Sequence, residues 1–261
     1  MTDRGTTWLA PQHTCTQNGM SAVPAAMVPG CIIPGFLSSA LDQSQLTDDS
    51  IDIFVLQSTK VAWFRYGVGI TVTGSGVSQW RDQSGNGRHL LQATDAARPA
   101  LQADGSILCN GTSHFVKTAP FTFNQPKTIY LLWKQVTWTD GDYLFDGDVN
   151  NSGAMLQGVN GTPTVRIAAG LTVNEAVGNW PVNTHAAHAI VFNGANSSLR
   201  IGNIISASGD AGTNNMGGFI LAAIGDGNVG WSNIQAKEVI LYSGAHDTAT
   251  QDKIIDYLSR L

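Results

Sequence analysis

From residue 60 onward, short β-branched and aromatic runs alternate with Asp-Gly and Asn-Gly steps. Asp140-Gly141, Asp146-Gly147, Asn160-Gly161, Asn193-Gly194 and Asp226-Gly227 mark tight turns, because Gly and Asn tolerate the positive φ that hairpin turns require. Between them lie Val61–Tyr66, Thr128–Trp133, Ala186–Phe192, Ser198–Ile205, Phe219–Ile224 and Ala236–Tyr242, all of strand composition. Many short strands joined this way predict an all-β sandwich or barrel. Composition agrees: charged residues are only 13% and glycines number 29, as turn-rich chains require. One helix is predicted, over about residues 247–260. Thr248 with Gln251 fits a capping box, and Ile254, Ile255, Leu258 and Leu261 share a helical face.

Residues 1–45 read differently. Pro11, Pro24, Pro29 and Pro34 interleave with Gly19, Gly30 and Gly35, and proline lacks the N–H a central strand must donate. Met27-Val28 and Cys31-Ile32-Ile33 are too apolar for a free tail. The prediction is an extended N-terminal arm that docks on its own domain or on a neighbouring subunit. Residues 46–57 form a short helix or turn that leads into a domain over 46–261.

Several function classes are disfavoured at once. The net charge is -5 with no clustered cations, so nucleic acid is not an expected partner. No apolar run approaches a membrane span. Met1-Thr2-Asp3-Arg4-Gly5 lacks the apolar stretch of a secretory signal. The three cysteines, Cys15, Cys31 and Cys109, are an odd number. Cys15 and Cys31 are one candidate pair, and reduced thiols are the plainer reading.

Candidate chemistry is sparse. Asp140, Asp142, Asp146, Asp148 and Asn150 place hard oxygen ligands at near-alternate positions, a pattern that suits Ca2+, although Asp-Gly steps are also ordinary turns. Asp82-x-Ser84-x-Asn86-Gly87 imitates the start of a calcium loop, but its twelfth position is Ala93 and not a glutamate, so a structural turn is expected. His185 and His188, three apart on a strand, would face opposite ways and make poor joint metal ligands. The only glutamates, Glu175 and Glu238, are far apart, and no nucleophile elbow or zinc motif is present. The chain is therefore expected to bind and not to catalyse. For a sugar, an exposed aromatic would cover the ring face while Asp and Asn bond hydroxyls. Trp138 beside Asp140 and Asp142, Trp180, and Trp231 near Asp226 and Asn228 are the candidates, each weighed against a core role.

The stretch Val77-Ser78-Gln79-Trp80-Arg81-Asp82-Gln83-Ser84-Gly85-Asn86-Gly87-Arg88-His89-Leu90, with Gln92-Ala93 and Arg98-Pro99, resembles a segment of laminin-G-like, concanavalin A-like jelly-roll proteins. Ala62-Trp63-Phe64 and Lys237–Ser243 followed by a capped helix extend the resemblance over about residues 60–261. It implies an antiparallel two-sheet jelly roll with a short C-terminal helix. It also implies the functions met in that family: glycan-binding modules, accessory domains of carbohydrate enzymes, and tailed-phage virion proteins. The expectation drawn from both lines is a virion protein, decorating a capsid or acting as a tail or fibre adhesin. It would assemble in the host cytoplasm, dock on capsid or tail proteins through its arm, form a homo-oligomer and display a lectin-like domain to host glycans. A free-standing lectin is the alternative, and a polysaccharide hydrolase or lyase a weaker one.

Overall fold

The protein is described by a computed structural model, which covers residues 56–158, 163–174 and 180–261. The predicted arm over 1–45, the Cys15–Cys31 pair and the Asn160-Gly161 turn lie outside the described residues. Leu56–Thr59 is one turn of 3-10 helix. Seventeen strands follow in chain order: β1 (Lys60–Phe64), β2 (Ile70–Thr73), β3 (Gly76–Trp80), β4 (Leu90–Leu91), β5 (Ala100–Leu101), β6 (Ile107–Leu108), β7 (Val116–Lys117), β8 (Lys127–Gln135), β9 (Tyr143–Asp146), β10 (Ala154–Gln157), β11 (Val165–Ala168), β12 (Thr172–Asn174), β13 (Ala186–Phe192), β14 (Ser197–Ile201), β15 (Ile204–Gly209), β16 (Ile220–Leu221) and β17 (Ile234–Ser243). A single described α-helix, α1 (Thr248–Leu258), ends the chain.

The strands form two antiparallel sheets. The first runs β15-β14-β13-β8-β17-β6-β5, with β1 beside β6 along the free edge of β17. The second runs β12-β11-β10-β9-β16-β7-β4-β3-β2. The main core lies between them. Phe64, Trp80, Ile129, Leu131, Trp133, Phe145, Phe192 and Phe219 meet there, all but wholly buried. Trp80 and Trp133 are fully buried and Trp63 nearly so, as short strands carrying large apolar payloads require.

A second, smaller core lies on the outer face of the first sheet. Trp63, Tyr130, Leu132, Ile240 and Tyr242 pack there against Ile254, Ile255 and Leu258 of α1. The helix cap lies one residue before the predicted one. Asp247 is the N-cap, and its carboxylate accepts from the Thr250 backbone N–H at 2.8 Å. Thr248 is thus inside the helix, and the Gln251 side chain donates instead to the His246 carbonyl. Arg200 ties the helix to the sheet through Asp252 at 2.6 Å.

The predicted strand Ser198–Ile205 is corrected to a hairpin. Gly202, at φ +56°, turns the chain between β14 and β15. The Asp82 loop is a structural knot, as expected. The Asp82 carboxylate accepts from the backbone N–H groups of Trp63, Ser84 and Arg88 and from the Ser84 hydroxyl. Asn86 donates to the carbonyls of Lys60 and Val61. The loop thereby clamps β1 of the first sheet to the chain leaving β3 of the second.

Candidate ligand-binding site

A depression of about 320 Å3 lies beside β7 and β16 of the second sheet, lined by Lys117, Thr118, Pro120, Asp148, Phe219 and Asp226, among others. Sheet register builds it. Ile220 of β16 pairs with Lys117 of β7 on one side and with Asp146 of β9 on the other. The loops that leave β9 and β16 therefore rise from adjacent strands. Gly225 lies against the backbone of Val149 and Asn150, where a Cβ would come within 2.8–2.9 Å of their backbone atoms. That close approach brings Asp148 and Asp226, 78 positions apart in sequence (226 minus 148), to the rim of one depression.

The polar groups are well anchored. Asp148 accepts from the Gly217 N–H at 2.8 Å, and Asp226 accepts from the Asn228 N–H at 3.0 Å. The Asn228 backbone and side chain, with a smaller contribution from Lys117, hold the Asp226 carboxyl below the usual carboxylate range. Trp231 donates its indole N–H to the Gly227 carbonyl, which fixes its half-buried ring against the loop bearing Asp226 and Asn228. Phe115 packs on Gly227 from below. Trp231, Asp226 and Asn228 thus flank one turn at Gly227, and of the three only Asp226 lines the depression.

Asp146 organises the rim from beneath. It is fully buried and accepts from the backbone N–H groups of Gly147, Asn151 and Ser152. Burial pushes its pKa up to about 6 against the opposing pull of those donors. Behind it lies Lys127, also fully buried, whose Nζ reaches only the carbonyls of Ser152 at 3.3 Å and Phe123 at 3.5 Å and the rings of Phe123 and Phe192. Burial depresses its pKa to about 7 despite the nearby Asp146.

The candidate calcium ligands do not converge. Asp146 points inward onto backbone amides, Asp148 faces the depression, and Asp140, Asp148 and Asn150 are exposed at different turns. Asp142 is half-buried, and burial raises its carboxyl above the usual range. Among the described residues no three carboxylate, imidazole or thiol groups are placed to share a metal ion.

Two of the tryptophan candidates lie elsewhere. Trp138 is half-buried, and its indole N–H donates to the Thr164 carbonyl at 3.0 Å, apart from the depression. Trp180 is corrected from sugar platform to core. It is 1% exposed, stacks on Trp133 at 5.5 Å and meets His188 edge-on at 4.4 Å. His188 is itself buried, with its pKa pushed down to about 3. Sequence reasoning missed Lys117 and Thr118, which belong to no motif and enter the site only through the pairing of β7 with β16.

No family model and no curated protein matches the chain. Solved structures do. A sialidase of Trypanosoma rangeli in complex with sialic acid superposes with a TM-score of 0.55 at 14% identity, over 78% of this chain and 33% of the sialidase. A GH54 α-L-arabinofuranosidase gives 0.53 at 14%, over 70% and 50% of the two chains. The binding domain of Paraclostridial mosquitocidal protein 1 gives 0.55 at 12%, over 77% and 53%. The chain thus spans about a third of the sialidase and about half of the other two. At these identities the likeness is one of fold, a β-sandwich. It corrects one expectation. The chain was expected not to be an enzyme, yet two of these three neighbours are enzymes, so its sandwich gives no ground for setting catalysis aside.

Proposed function

We propose that this chain is a carbohydrate-binding β-sandwich of the laminin-G/concanavalin A type, and that its ligand sits in the depression between the loops of Asp148 and Asp226. The observation that carries the reading is the depression itself. Two exposed carboxylates from separate loops and a lysine surround it, with the half-buried Trp231 ring on the adjoining loop. Sugar recognition calls for this combination, in which acceptors bond hydroxyls and apolar surface covers the ring. Neighbours that are a sialidase, an arabinofuranosidase and a toxin binding domain support the same reading. Display on a phage particle draws no support from those likenesses.

The test is a glycan array probed with the full chain, followed by calorimetric titration of the hits and an assay for released reducing sugar. Binding that falls at least about tenfold in Asp226→Ala, with an unchanged melting temperature, supports the site. Equal binding by the variant places the ligand elsewhere. Release of reducing sugar that Asp226→Ala abolishes would make the same depression a catalytic cleft.

A further inference from the structure

The structure assigns this depression to sugars without an acidic group and sets it against carboxylated ones such as sialic acid. The inference rests on the reading of the depression as the glycan site, and goes beyond it by naming the ligand's charge class. Three observations carry it.

The first is the charge of the lining. Lys117 supplies one positive charge, and Asp148 and Asp226 supply two negative ones, a net of -1. Lys117 is among the groups stabilising ionised Asp226, so part of its field is already spent on a protein carboxylate.

The second is the state of the backbone donors. A carboxylate ligand without a paired arginine is held by exposed N–H groups, which loops and helix ends supply. Two loop amides beside the depression, Gly217 N–H and Asn228 N–H, already donate to Asp148 and Asp226 and are not open to a ligand carboxylate.

The third is the absence of a guanidinium. Among the described residues no arginine lines the depression. Arg88 lies over the Phe121 ring and donates to the Val61 carbonyl, and Arg98 is held by Asp95 and the Thr73 carbonyl. Neither is a lining residue. Planar, bidentate recognition of a carboxylate therefore has no partner there. What remains is acceptor-rich: two exposed carboxylates, suited to ligand O–H donors, while the buried Thr118 hydroxyl is taken up by the Phe219 backbone. A neutral sugar offers such donors in pairs, and each makes a charge-assisted hydrogen bond to Asp148 or Asp226. A carboxylated sugar brings a like charge toward the same oxygens.

The experiment compares matched probes on the full chain: galactose-terminated oligosaccharides and the same oligosaccharides capped with sialic acid. The expected result is that capping weakens binding by about tenfold or more at low salt. The isosteric changes Asp148→Asn and Asp226→Asn, which keep an oxygen for Gly217 N–H and Asn228 N–H, should narrow that gap, and Lys117→Gln should widen it. Melting temperatures of all three variants verify folding. Capped probes that bind as tightly as uncapped ones, or a gap unmoved by the Asp variants, overturn the inference and leave glycan binding standing. Failure of both probe classes, and of every other sugar on the array, overturns the glycan reading and this inference with it.

Discussion

Lys127 offers the sharpest test of the packing described above. It sits at the start of β8 on the face that turns toward the main core, yet it carries an ammonium group. Burial lowers its pKa from 10.5 to about 7. A lysine depressed in this way binds its proton less tightly in the folded chain than in the unfolded one. Its contribution to stability is therefore present above the unfolded value near 10.5 and is lost as pH falls through about 7. The shift of roughly 3.5 units corresponds to a cost of about 5 kcal/mol for the charged form below pH 7. Lys127→Met removes that cost and keeps the stem. It also gives up two long hydrogen bonds, at 3.3 and 3.5 Å, worth about 1 kcal/mol each. The buried Asp146 loses a nearby cation, which takes back about another 1–2 kcal/mol. A net gain of about 1–2 kcal/mol at pH 6.5 follows, or roughly 2–8 °C in melting temperature for a chain of this size. The assay is thermal unfolding of wild type and variant from pH 6 to pH 10. The gain should shrink steadily and vanish or reverse by pH 10, where wild-type Lys127 is neutral. A variant less stable than wild type at pH 6.5, or a difference that does not change with pH, refutes the reasoning.

Other outcomes follow from the same structure. Asp82→Ala should cost about 3–5 kcal/mol in denaturant unfolding, because it strands three backbone N–H groups and a hydroxyl in a buried loop. Trp180→Ala should cost about 3–5 kcal/mol through the cavity it leaves beside Trp133 and His188, whereas Trp231→Ala should cost far less and lower sugar affinity in calorimetry. Asp247→Ala should lose about 1 kcal/mol with the helix cap, read as a small drop in denaturant midpoint. Asp146 has a raised pKa, so its contribution to stability is present below the unfolded value of 3.8 and is lost as pH rises through about 6. Asp146→Asn should therefore gain relative to wild type as pH climbs from 4 to 7 in the same melts.

The sandwich was legible because its turn chemistry is local. Gly141, Gly194 and Gly227 all carry the positive φ expected of them. Local signals failed where an apolar run hid a turn: Gly202-Asn203 sits inside a stretch of isoleucines and reads as strand interior. Trp180 was misplaced because a tryptophan's sequence neighbours do not reveal whether the opposite sheet covers it. That Trp231, Asp226 and Asn228 flank one turn follows from their proximity in sequence. The union of Asp226 with Asp148 and Lys117 does not, since that depends on β16 pairing with both β7 and β9. Such pairings link distant positions and leave no trace in composition or periodicity.

The position of β17 has a consequence for how the chain is made. This strand lies beside β8 along its full length and also holds β1 and β6 on its other edge, yet it follows all three of them in sequence. While the chain is still on the ribosome, β8 keeps one bare edge and β1 has no strand to join. The first sheet closes only when β17 has been made and has joined both neighbours. A nascent chain stopped before residue 234 would hold exposed edges open to pairing with other chains. Truncation before β17 should therefore yield insoluble material and not a shortened, working domain.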